Sequence, residues 1–135
     1  MGCISSHIEK YKLSKTTLES VNELTFEGQK FYCKVLEVYD GDTVTLCFKF
    51  RNAYFKKRCR LYGINAPEIT TKNKEEKEQG YKSKDFLTGI LLNQIIYFHC
   101  YGWDKYGRLL GIIFKGDEDV NDMMIKKGFA VRYMV

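Results

Sequence analysis

Residues 31–64 read FYCKVLEVYDGDTVTLCFKFRNAYFKKRCRLYGI. Three runs within this stretch, FYCKVLEVY, TVTLCFKF and AYFKKRCRLYGI, are rich in Val, Phe, Tyr and Thr and are divided by DGD and RN. β-Branched and aromatic residues suit a pleated, half-buried surface, and partial apolar–polar alternation marks strands with one wet face. The stretch therefore predicts three antiparallel strands joined by short turns. Asp40 and Gly41 make the Asp-Gly pair that tight hairpins favour, because primed turns need positive φ and glycine supplies it without strain. The same turn sets the carboxylates of Asp40 and Asp42 on either side of the glycine, so it also raises the question of a metal site.

Working outward, the only proline, Pro67, precedes a charged segment, EITTKNKEEKEQG, that reads as an exposed loop running into a helix. In YKSKDFLTGILLN, Phe86, Leu87, Ile90 and Leu91 fall on one helical face, so this helix is expected to close one end of a sheet. QIIYFHCYGW and RLLGIIFKG read as two further strands around DKYG. VNDMMIKKGFA reads as a short helix with Asn121 or Asp122 near its start and Gly128 at its end. Five strands with a helix after the third give the order of an OB-type barrel. The expected class is mainly β with helices (α+β), a five-stranded OB-fold barrel with about two packed helices. Residues 1–30 read as an N-terminal arm in which Leu18, Val21 and Leu24 hint at a helical stripe, and residues 31–135 as the folded domain.

Composition bounds the alternatives. A chain of 135 residues that is 44% hydrophobic and 15% aromatic suits one compact domain. A formal charge of +5 favours anionic partners such as nucleic acid or a membrane surface. No run approaches the ~18 apolar residues of a membrane helix, and the start lacks a secretory signal, so the mature chain is expected to begin at its encoded start. The five cysteines show no CxxC pair, and four of them fall in predicted strands, which reads as free thiols in a reducing compartment. The start itself, MGCISS, fits myristoylation at Gly2 with palmitoylation at Cys3. One myristoyl chain binds membranes at only about 10⁴ M⁻¹, whereas two chains anchor stably. The expected location is the cytoplasmic face of a membrane if the chain is acylated in a eukaryotic cell, and otherwise the cytoplasm.

Hydrolysing a phosphodiester puts extra negative charge on phosphorus, so a site for it needs fixed cations, a hard divalent metal and a group that activates water. Three segments supply candidates. Asp42 leaves the hairpin as an oxygen ligand suited to Ca²⁺. RLYGINAPE sets Arg60, Asn65 and Glu68 along a strand and the turn beyond it, and DKYGR adds Lys105, Tyr106 and Arg108. Arginine forks grip phosphate oxygens two at a time, which lysine does not. His99 reads as packed in a strand and His7 as solvated.

Taken in order, DGDT, RLYGINAPE, DKYGR and VND…KKGFA resemble the staphylococcal nuclease (thermonuclease) family across residues 31–131. The resemblance implies a five-stranded OB barrel, calcium dependence, and cleavage of DNA or RNA to 5′-hydroxyl and 3′-phosphate ends. It makes Asp42 a calcium ligand, with Asn65 and the Ala66 carbonyl beside it. Arg60 and Arg108 hold the phosphate and stabilise its transition state, Glu68 orients or deprotonates water, and Lys105 and Tyr106 contact a neighbouring phosphate. Two departures stand out. Asn65 replaces an aspartate of the family pattern, which predicts weaker calcium binding, and the chain ends at VRYMV, without the further helix of bacterial members. Leu18, Val21 and Leu24 are then the available cover for the exposed apolar surface, with a dimer as the other way to bury it. The alternative reading is a catalytically weak or inactive nuclease-like OB module that binds nucleic acid or protein.

Overall fold

A computed structural model describes residues 3–134, with side chains from Ser5 onward. After helix α1 (Cys3–Ser14), strands β1 (Lys30–Asp40), β2 (Thr43–Phe50) and β3 (Ala53–Leu61) form the antiparallel meander that the alternation predicts. A two-residue strand, β4 (Ile64–Asn65), leads to helix α2 (Lys74–Leu91), and β5 (Ile95–Trp103) and β6 (Leu109–Lys115) follow. β5 pairs antiparallel with β1 and β6, and β6 pairs parallel with β3, so the five strands close into an OB-type barrel. The chain finishes with β7 (Glu118–Asp119), α3 (Val120–Lys126) and β8 (Val131–Arg132), the last paired with β4.

Alternate strand positions fill the barrel: Val35, Leu46, Leu61, Phe98, Leu109 and Ile113 are fully buried. Helix α2 starts at Asn73, whose Oδ1 accepts the Glu76 N–H at 3.0 Å, and it buries Gly80, Ser83, Leu87 and Leu91 against the barrel. Helix α3 has Asn121 and Asp122 in its first turn, as the sequence suggests, and is capped by Asp119, which accepts the Asp122 N–H at 2.9 Å. Asn121 is buried. Its amide donates to the carbonyls of Tyr62 (2.9 Å) and Gly111 (3.1 Å), and its Oδ1 accepts the Ile113 N–H (3.2 Å), which joins α3 to β6 and the end of β3.

The arm differs from expectation. Leu18, Val21 and Leu24 are 56–90% exposed and lie outside any helix. The hydroxyls of this segment bond locally and compete with helix formation: Thr16 Oγ1 donates to the Leu13 carbonyl (2.8 Å), and Ser20 Oγ accepts the Thr17 N–H (2.8 Å). Phe26 closes the barrel end instead. It is 9% exposed and meets Phe31, Phe48, Phe50 and Trp103 edge-on, with ring centroids 5.3–6.5 Å away.

The DGD turn is a hairpin, but its glycine is there for another reason. Positive φ belongs to the following turn, at Arg51 (50°) and Asn52 (64°), and not to Gly41. A Cβ on Gly41 would lie 2.7 Å from both the Ala66 and the Ser83 Cβ atoms, so the glycine is a point of close approach between the hairpin, the segment after β4, and α2. Gly41→Ala is expected to destabilise the protein by overpacking, by about 1–3 kcal/mol. Urea unfolding measures this, and an unchanged midpoint would refute the packing account.

Candidate active site

The β1–β2 turn is bonded to β3 and to the residues after β4. Asp42 is buried; its Oδ2 accepts the Ala66 N–H at 2.8 Å, its Oδ1 accepts the Thr43 hydroxyl at 3.0 Å, and its main-chain carbonyl accepts the Leu61 N–H at 2.8 Å. Asp40, also buried, accepts the Asp42 N–H at 3.0 Å. Burial first, then the neighbouring Asp42 carboxylate and the charge of Glu68, push the Asp40 carboxyl up to about 7.

Arg60 lies across this acidic turn. Its Nη1 donates to the carbonyls of Leu61 (3.0 Å) and Ile64 (2.9 Å), and its Nη2 donates to the Asn65 Oδ1 (3.2 Å) and sits 3.4 Å from the Asp42 Oδ2. One edge of the guanidinium is therefore structural. The Nε–H has no partner among the described residues and remains for an anion.

Arg108 is held differently. Asp104 accepts the N–H groups of Tyr106 and Arg108 on Oδ1, both at 2.9 Å, and the Arg108 Nε on Oδ2 at 2.6 Å. Burial opposes ionisation of Asp104, but these hydrogen bonds and the Arg108 charge outweigh it and hold the carboxyl below its usual range. With Nε committed, both terminal nitrogens of Arg108 stay available. The exposed Tyr106 ring lies between Arg108 and Lys105, 5.2 Å from each cationic group. Strand register relates the two arginines: Cys59 pairs with Leu109, both buried, and Arg60 pairs with Leu110, so Arg108, the residue just before β6, stands level with Arg58 on the outer face that Arg60 shares two residues further along.

The structure thus brings Asp42, Arg60, Asn65 and Ala66 into one bonded group. Glu68 is exposed and borders a cleft of about 310 Å³ with Asn65, Ala66 and Pro67 on one wall and Gly128–Val131 on the other. Helix α2 reaches this wall through Gly80, where a Cβ would lie 2.8 Å from the carbonyl oxygens of Pro67 and Glu68. Arg108, Lys105 and Tyr106 form a second group around Asp104, joined to the first only through the β3–β6 pairing. Sequence reasoning missed Asp104; the signal was an aspartate four residues before an arginine in a glycine-containing turn. It also gave Asp40 no more than an indirect role. His99 sits on β5, 4.4 Å from the Phe114 ring and 5.2 Å from Tyr97, and His7 is exposed on α1. Gly2 and the Cys3 side chain lie outside the described residues.

Two buried carboxylates, one of them disfavoured as an anion, together with the Asn65 amide oxygen, form an all-oxygen, acidic donor set. Such a set fits a hard divalent cation rather than a soft one. No three His, Cys, Asp or Glu side chains converge on one point among the described residues, so the protein would fill only part of the ion's shell.

Residues 58–135 match the family described as staphylococcal nuclease homologue, a range that begins after the DGD turn and includes Arg60, Asn65, Ala66, Glu68, Lys105, Tyr106 and Arg108. The chain is 31% identical over 105 residues to an uncharacterised endonuclease of Haemophilus influenzae, covering 78% of this chain and 54% of that protein. It is 29% identical over 115 residues to a thermonuclease of Staphylococcus hyicus, covering 84% of this chain and 62% of that one. For a thermonuclease of Staphylococcus intermedius the identity is 32% over 105 residues, covering 76% of this chain and 59% of that protein. Against these three relatives the chain spans less than two thirds of their length.

The buried carboxylate at position 40 carries a signature in pH. Because its folded-state pKa lies above the ordinary aspartate value, its stabilising contribution is complete at pH values below that ordinary range and is lost as pH rises through about 7. In chelator, Asp40→Asn should match the wild-type melting temperature near pH 4 and exceed it at pH 8. Equal melting temperatures at both pH values would remove the electrostatic account.

Proposed function

The chain belongs to the staphylococcal nuclease family, and from that premise we propose that it is a calcium-dependent nuclease that hydrolyses DNA or RNA to leave 5′-hydroxyl and 3′-phosphate ends. The observation that carries this reading is the convergence of Asp42, Arg60, Asn65 and Ala66 at one turn, with Arg108 at the start of the neighbouring strand β6 on the same outer side. Asp42, Asn65 and the Ala66 carbonyl are the residues that would hold Ca²⁺, with Asp40 behind them. When bound, the cation supplies positive charge against the phosphate oxygens.

The remaining work falls to the chain's own side chains. Arg60 presents its Nε–H and Arg108 its two terminal nitrogens to the phosphate, where they meet the negative charge that grows as water adds. Glu68, on the cleft wall, orients the water or takes its proton. The new bond joins the water oxygen to phosphorus, the bond to O5′ breaks, and O5′ leaves with a proton from solvent. Lys105 and Tyr106 contact the next phosphate. A second reading, a weak or inactive nuclease-like module that binds nucleic acid or protein, is favoured by one observation: Asn65 contributes an amide where a carboxylate would add charge.

Digestion of single-stranded DNA in millimolar calcium and then in chelator tests the reading. With Asp42 the one direct carboxylate, half-maximal activity is expected at about 10⁻⁴ to 10⁻³ M Ca²⁺. Asn65→Asp should lower that concentration and Asp42→Asn should abolish activity. A wild type that is inert in tens of millimolar calcium, together with an inert Asn65→Asp, would leave the binding module in its place.

We also propose that the chain is acylated at Gly2 and Cys3 when translation starts at Met1, and so lies on the cytoplasmic face of a membrane. The support is the MGCISS pattern and helix α1, whose side chains are exposed at every position from Ser5 to Ser14. No helix among the described residues is long and apolar enough to cross a membrane. Gly2→Ala expressed in eukaryotic cells should move the chain from the membrane pellet to the soluble fraction, and a wild type found wholly in the soluble fraction would refute acylation.

A further inference from the structure

The basic excess of this chain sits in one hairpin. Between Lys49 and Arg60 there are six Lys and Arg and no Asp or Glu, whereas in the rest of the chain Asp and Glu outnumber Lys and Arg by one. The hydrolytic site uses only Arg60 of these six. The other cations need a separate account, because like charges on adjacent strands repel and folding gains nothing from collecting them.

Their placement is ordered. Cys59 and Leu61 are buried, so alternation puts Arg60, Arg58, Lys56 and Tyr54 on the outer face of β3. Successive members of this file are about 6.6 Å apart, close to the spacing of phosphates along an extended nucleic-acid strand, and the file runs about 20 Å from the site to the hairpin tip. On β2, Lys49 pairs with Tyr54 and Thr45 pairs with Arg58 on the same face. Tyr54 is 73% exposed at the far end, a flat ring open to a base. Arg58 lies over the Tyr39 ring at 4.5 Å, and none of Lys49, Lys56 and Arg58 makes a salt bridge among the described residues. Glu37 on β1 borders this face, where its carboxylate accepts the Thr45 hydroxyl at 3.4 Å.

We propose that the outer face of the β2–β3 hairpin, from Arg58 through Lys56 to Lys49 and Tyr54, is a binding track for the backbone of a single-stranded nucleic acid. The track delivers that strand to Arg60; its direction rests on the nuclease reading above, and its affinity does not. Cations in single file meet successive phosphates, and Tyr54 stacks a base at the end of the run. An anionic membrane also attracts basic surfaces, but a narrow run along one hairpin that ends on Arg60 matches a strand and not a sheet of headgroups.

Binding measured in chelator separates the track from the chemistry. The probe is a fluorescent oligothymidylate of twenty nucleotides, followed by anisotropy against salt, with the full chain as wild type and as the combined Lys49→Ala, Lys56→Ala, Arg58→Ala variant. The variant is expected to bind at least about tenfold more weakly at low salt. The slope of log affinity on log salt should shrink by about 2, from three lost contacts at roughly 0.7 each. Tyr54→Ala should weaken binding and leave the slope unchanged. If the wild type binds the strand in this way yet shows no calcium-dependent cleavage, the nuclease reading fails and the track stands. Unchanged affinity and slope in the triple variant, or a wild type that does not bind at low salt, overturns the track. So does a variant that keeps its strand affinity and loses binding to phosphatidylserine vesicles.

Discussion

A carboxylate taken out of water must be met by donors, and Asp42 meets the Ala66 amide, the Thr43 hydroxyl and the Arg60 guanidinium. The Ala66 bond spans 24 residues of chain and ties the first hairpin to the corner beyond β3. It forms only because Gly41 has no side chain to hold Ala66 and Ser83 away. Through those two contacts the hairpin, the segment leading to Glu68 and helix α2 are fixed to one another. Arg60 then takes its place against carbonyls that this corner presents, so fold and site share one set of bonds.

The neutrality of Asn65 acts in two directions. In the proposed calcium site it would supply a neutral oxygen in place of a carboxylate, with a weaker hold on the cation. As the acceptor for the Arg60 Nη2 it leaves the guanidinium facing three neutral oxygens, those of Leu61, Ile64 and Asn65, and a single carboxylate. Arg60 is therefore less neutralised within the protein than it would be between two carboxylates, and more of its charge is left for a phosphate.

Much of the fold was legible because strand alternation and the 3.6-residue period are written locally. The three-strand meander, the two later strands and the buried face of α2 all follow from such patterns, and the barrel order follows from them. What could not be read depends on distant neighbours. Gly41 sits in a motif that signals positive φ, yet its constraint comes from Ala66 and Ser83 across the corner. Leu18, Val21 and Leu24 have helical spacing, but the intervening hydroxyls bond to their own backbone, and Phe26, a single aromatic without periodic partners, supplies the cover. Asn121 reads only as a residue near a helix start and is a buried bridge in space. At the site, the types and order of the residues were readable. The commitment of one edge of Arg60 to carbonyls, and the role of Asp104 in aiming Arg108, were not, because both depend on the turns that surround them.

Barrel closure has one more consequence. The parallel pairing of β3 with β6 is the seam of the barrel, and Arg60 and Arg108, about fifty residues apart in the chain, stand on either side of it. The basic hairpin is complete once β2 and β3 pair, a local event. The two arginines become neighbours only when the seam closes. A chain whose β3–β6 seam is open therefore still carries the basic hairpin but no longer sets Arg60 and Arg108 on one face, so the arrangement proposed for hydrolysis depends on that seam.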